Sequence, residues 1–143
     1  MLKKLASLAA ALAVIAGTAH AEPVSGGRAN VVIQPEPPSL MLGLVQNGPT
    51  QMVAGNIYES LLRYDENLEP QPQLAKSWDI AEDGLTYTFH LYDNVKWHDG
   101  EPFSADDVVF SADVFLRETH ARLRNSLKYV DSITAPDANT VVF

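Results

Sequence analysis

The sequence predicts a mixed α/β fold, and three stretches carry that prediction. Leu85, Tyr87, Phe89 and Leu91 alternate with Thr86, Thr88 and His90, the period-two pattern of a strand with one buried face. Val53, Ile57 and Leu61 recur at i, i+4 and i+8, with Ala54 and Tyr58 beside them, as on one face of a helix. Ser104, followed three residues later by Asp107, opens a second helical run with its own cap.

The chain begins with Lys3 and Lys4, an apolar run from Leu5 to Ala16 broken only by Ser7, a Gly17 breaker and the small-residue pair of Ala19-His20-Ala21. That is the layout of a cleaved secretory signal, too short for a membrane span, with cleavage expected after Ala21. Its removal leaves 122 residues starting at Glu22. It also takes the net charge from −8 to −10, because the removed part holds two lysines and no acid. An acidic product of this kind disfavours nucleic acid and anionic lipid as partners. With no Cys, the chain has no disulfide, no thiolate metal site and no lipid-modified Cys. The product is expected in the periplasm.

Glu22 to Arg28 is Pro/Gly/Ser-rich and reads as loose. Asn30 to Gln34 is β-branched and reads as a short strand. Pro35, Pro37 and Pro38 then impose an extended path. Thr50, after Pro49, is placed to cap the first helix, with Gly55 weakening its middle by roughly 1 kcal/mol. Asn67 to Gln73 reads as a polar, proline-bearing connection. Trp78 and Ile80 form a strand that turns through Ala81-Glu82-Asp83-Gly84 into the Leu85–Leu91 strand. Val95 to Trp97 reads as a further strand closed by the Asp99-Gly100 turn. Tyr129 to Thr134 and Thr140 to Phe143 read as two strands around Pro136-Asp137. The chain reaches Phe143 inside a strand, an ending expected of a fragment.

The stretch "VKWHDGEPFSADDVVFSADVF", from Val95 to Phe115, concentrates a Trp, a His and five acids, Asp99, Asp106 and Asp107 among them. His90 and His98 are eight residues apart with no acid at a ligand spacing, so no metal site is expected. Asp106 and Asp107 are adjacent and point about 100° apart on a helix, so they cannot serve one substrate atom. A capping role accounts for both: Asp107 at the third helical position and Asp106 at the second meet the positive helix end. Behind them Val108, Val109, Ala112, Phe115 and Leu116 form an apolar face. Phe110 and Val114 make a second ridge, which implies covering from another side. No catalytic residue is expected. There is no G-x-S-x-G and no H-E-x-x-H, which disfavours a secreted hydrolase.

"PEPPSLMLGL", "IYESLLRYDENLEPQPQLAKSWDIAEDGLTYTFHL" and the Val95–Phe115 stretch together resemble the dipeptide/oligopeptide-binding family of bacterial periplasmic solute-binding proteins that serve ABC importers. The resemblance covers about Val31 to Phe143. Met41-Leu42 departs from it where members carry Asp-Pro, and Tyr92 where many carry Arg. It implies an N-terminal fragment of a two-lobed periplasmic-binding-protein clamp. Residues 22–51 would start lobe one, and residues 52–143 would be a truncated small inserted α/β domain. It implies a non-enzymatic, monomeric carrier without cofactor. The carrier would take a peptide, or else a nickel complex, opine, haem or oligosaccharide, to a permease in the inner membrane. It also places Gln46, Asn47 and Gly48 against ligand backbone. The residues agree: "QNG" offers amides and a Gly that permits close approach, on a loop before a helix.

Overall fold

The computed structural model describes residues 25–143; the signal segment, residues 1–21, and its cleavage point lie outside them. Residues 33–143 form one compact unit. Residues 25–32, the described part of the other unit, are exposed and without regular structure. No strand forms over Asn30–Gln34, contrary to the sequence reading. The stretch has no ladder partner among the described residues, and an unpaired strand leaves its backbone groups to water.

Helix α1 spans Gly48–Ala54. Asn47, rather than Thr50, is its cap, and its side chain accepts from the Thr50 N–H at 2.9 Å. Thr50 is fully buried inside the helix instead. The helix stops before Ile57 and Leu61. Asn56 and Ile57 bond back to the carbonyls of Val53 and Ala54, a tightened final turn that closes it at Gly55.

Strand β1 (Leu62–Tyr64) pairs antiparallel with β2 (Pro70–Pro72), so part of the expected connection is a strand. Proline is tolerated there because a two-stranded ribbon consists only of edges. Asp65 folds the turn between them. Its carboxylate accepts from the N–H groups of Glu69 and Asn67 and from the Gln71 side chain. The Glu69 bond foremost, with the Asn67 and Gln71 bonds, holds Asp65 below the usual carboxylate range.

Strands β3 (Ala75–Ile80) and β4 (Tyr87–Leu91) make the expected hairpin, with Trp78 opposite Phe89. Leu85 stays outside β4 and is 80% exposed. The Asp83 carboxylate accepts its N–H at 2.9 Å and keeps it in the turn. The other two strands of this sheet are β5 (Thr134–Asp137) and β6 (Thr140–Val142), in the antiparallel order β3-β4-β6-β5. Val95–Trp97 gives only an isolated bridge, Lys96 to Pro102, rather than a strand. The turn beyond it is as the sequence implies, with Gly100 at a φ of 94° that a side chain would oppose.

Helix α2 (Ala105–Val109) runs on without a break through a π-helical segment, Phe110–Leu116, into the short α3 (Arg117–Thr119). Its cap is the one expected. The Asp107 carboxylate accepts from the Ser104 N–H at 2.8 Å and from its hydroxyl at 3.1 Å, an arrangement that contributes about 1 kcal/mol. Val108 is buried, Val109, Ala112 and Leu116 pack on the core, and Phe110 and Val114 are 59% and 54% exposed. Helix α4 (Ala121–Leu127) follows, capped by His120, whose ring Nδ1 accepts from the Leu123 N–H. The strand expected from Tyr129 therefore starts only at Thr134. Tyr129 and Val130 instead belong to the turn leaving α4, where their N–H groups bond to the carbonyls of Ser126 and Leu127.

The core lies between the four-stranded sheet and the α2–α4 run. Ala75, Leu91, Ala105 and Val141 are wholly inaccessible, joined by Val108, Leu127 and Ile133. Phe89 and Phe143 meet edge to face at 5.5 Å between ring centres. The Ala105 N–H donates to the Ala138 carbonyl at 2.8 Å, which pins the helix start to the β5–β6 turn.

Candidate ligand-binding site

The loop from Ser39 to Asn47 carries Gln46 and Asn47, and Gly48 follows as the first residue of α1. It turns tightly on itself, with the N–H groups of Leu44 and Val45 both donating to the Met41 carbonyl. Three bonds from elsewhere fasten it. The buried Thr50 hydroxyl donates to the Ser39 carbonyl at 3.0 Å. The Thr119 hydroxyl reaches the Gly43 carbonyl at 3.2 Å. The Gln51 amide donates to the Gln46 carbonyl at 2.7 Å.

The three residues are thus brought together at one corner, and their roles separate. Asn47 has its side-chain oxygen committed to the helix cap, which leaves its NH₂ donors. Gln46 has its carbonyl engaged, and its own amide has no partner among the described residues. At Gly48 a side chain would meet no atom within 4 Å, so the backbone there stands open to an approaching group.

Two hollows among the described residues lie elsewhere. A groove of about 430 Å³ sits past the other end of α1, lined by Gly55, Tyr58, Glu59, Gln73, Trp97 and His98 among others. A second, of about 510 Å³, opens beside Leu85, Tyr87, Tyr129 and Phe143. Sequence reasoning did not group Tyr58 with Trp97 and His98. The only signal for it is the Trp-His pair at a turn, which fits a solvated hairpin tip equally well.

Among the described residues, the acids and histidines that the sequence singles out have these places. The Asp107 carboxylate is occupied by the cap, and Asp106 is exposed beside it. His90 Nε2 pairs with Asp79 Oδ2 across the β3–β4 hairpin at 2.9 Å. His98 lies on the groove, and no three His, Asp or Glu side chains gather as a metal would need.

The described residues thus present a small sheet carrying one helical layer, with a polar loop fastened to it. The match to known proteins is specific. The chain belongs to the bacterial extracellular solute-binding proteins of family 5, whose middle-region model matches residues 69–143. It is 58% identical over 45 residues to a periplasmic alpha-galactoside-binding protein of Rhizobium meliloti, a stretch covering 32% of this chain and 6% of that protein. It is 42% identical over 87 residues to a putative ABC transporter peptide-binding protein of Brucella ovis, covering 59% of this chain and 16% of that one. In structure it resembles the ABC transporter-associated periplasmic binding protein DppA of Helicobacter pylori in complex with the peptide STSA. There the TM-score is 0.60 and the identity 32%, over 76% of this chain and 25% of that one. The chain therefore corresponds to part of the two-lobed periplasmic-binding-protein fold, and it spans at most about a sixth of the length of these curated relatives.

Proposed function

We propose that this chain serves a periplasmic protein that captures short peptides and hands them to an ABC importer. The observation that carries the reading is the peptide-binding relative matched along 59% of the chain, seconded by the likeness to a peptide-bound binding protein. In this reading the signal segment is removed after Ala21 and the product works in the periplasm as a monomer. Residues 22–51 begin lobe one, and residues 52–143 belong to the small inserted domain. The protein is a carrier and not an enzyme. Two lobes close around the ligand, and a permease in the inner membrane receives it.

Gln46, Asn47 and Gly48 form part of one wall. The free amide of Gln46, the NH₂ of Asn47 and the open backbone at Gly48 suit the main chain of an extended peptide. Main-chain hydrogen bonds give affinity that tolerates varied side chains. The 45-residue match to an alpha-galactoside-binding protein supports a second reading, a saccharide ligand for the same clamp.

Isothermal titration of the purified full-length protein separates the two. Di- to pentapeptides are expected to bind in the micromolar range, about −8 kcal/mol, with an α-galactoside giving no heat. Saturable binding of the α-galactoside with none of peptides would reverse the assignment.

A further inference from the structure

The loop bearing Gln46–Gly48 rests directly on the π-helical segment. A side chain at Gly43 would overlap the edge of the Phe115 ring and touch Leu116, so the ring would have to shift to admit one. Just beyond, the Thr119 hydroxyl lies 2.8 Å from the Phe115 carbonyl and 3.2 Å from the Gly43 carbonyl. One hydroxyl carries one proton, so the two carbonyls share a single donor. The bond to Phe115 lies within the helix and is the shorter. The bond to Gly43 can break without leaving the hydroxyl unsatisfied. π-Helical turns are uncommon and concentrate where a helix serves a site.

We propose that Gly43, Phe115 and Thr119 form a latch that sets the position of the ligand-contacting loop, and that Thr119 is a positioning residue for binding. This rests on the reading of Gln46–Gly48 as ligand contacts. With the latch closed, Leu44 and Val45 hold their turn and Gln46 to Gly48 are presented in one geometry. With it open, the loop must be ordered again by the ligand, which lowers affinity.

The test uses Thr119→Val, which keeps the shape and removes the hydroxyl, Thr119→Ser, which restores it, and Gly43→Ala. Amide hydrogen exchange without ligand is followed at Leu44 and Val45, with the β3–β4 hairpin as internal reference. Thr119→Val is expected to speed exchange at Leu44 and Val45 by roughly fivefold, as the loss of one hydrogen bond implies, and Gly43→Ala to speed it in the same direction by pushing the loop off Phe115. Thr119→Ser and the hairpin amides should stay at the wild-type rate. Titration of the full-length protein with trialanine should show a matching loss of affinity for the first two variants only. Unchanged exchange at Leu44 and Val45, or acceleration spread equally over the hairpin, would overturn the latch. Failure of every form, wild type included, to bind trialanine would instead overturn the peptide reading, and the exchange result would still decide the latch.

Discussion

Leu91→Ala is expected to lower the stability of the described unit by about 3–5 kcal/mol, the usual range for removing a large aliphatic side chain from a closed core. Leu91 ends β4 and is wholly inaccessible, as are Ala75, Ala105 and Val141 in the same cluster. These residues, with Val108, Leu127 and Ile133 of the same cluster, are held by the sheet and the helices and relax only partly into the space. The cavity therefore persists, and its cost adds to the lost burial. Domains of this size have about 5–15 kcal/mol in total, so the variant loses a large part of its margin. Urea denaturation checks this: the midpoint should fall sharply with the slope unchanged. A shift equivalent to less than 1 kcal/mol would show that the sheet and the α2–α4 run do not meet at Leu91.

The second large effect is expected at Arg117. Its guanidinium donates to Asp113 Oδ1 from Nε at 2.9 Å and from Nη2 at 2.7 Å, and to the Leu127 carbonyl from Nη1 at 2.7 Å. A longer bond of 3.4 Å reaches the Val130 carbonyl. One side chain thus joins the end of the π-helical segment to the last turn of α4 and to the turn that follows. Arg117→Ala leaves the Leu127 carbonyl without this donor and Asp113 without its partner. Charge-assisted bonds of this kind contribute about 1.5–3 kcal/mol each when sheltered. Asp113 is 41% exposed, so water offsets part of the ion pair and a total of about 2–3 kcal/mol is expected. Arg117→Lys should recover less than half, because an ammonium cannot span acceptors in three directions as the planar fork does. Thermal unfolding of the three forms decides it, and equal melting temperatures for Arg117→Lys and wild type would contradict the fork.

The Ser104–Asp107 cap and the Trp78–Leu91 hairpin were legible in the sequence because local chemistry alone determines them. A capping residue three positions before an acid, and a period-two run entered through Asp83-Gly84, specify their geometry within a few residues. The first helix shows where such reasoning stops. The spacing of Val53, Ile57 and Leu61 extends the helical pattern past Ala54, but Leu61 packs on the core from outside the helix after a tightened turn at Gly55. Helix α4 gave little pattern, since most of its residues are exposed and only Leu127 is buried. The Pro70–Pro72 strand ran against propensity, which tertiary pairing overrode. The π-helical segment has no sequence signature of its own. The loop at Gln46–Gly48 was placed through family resemblance. The bonds that fasten it, from Thr50, Gln51 and Thr119, include one spanning 76 residues, beyond the reach of any local pattern.

The most direct measurement of the central claim is the change in backbone amide resonances when a peptide is added to residues 22–143. Magnetic resonance registers binding even at millimolar affinity, so a partial set of contacts gives a readable signal. Addition of trialanine is expected to move the amides of Gln46, Asn47 and Gly48 first and furthest, saturably, with an equimolar α-galactoside leaving them in place. Shifts confined to Tyr58, Trp97 and His98 around the groove, or a spectrum that peptide does not change, would contradict it.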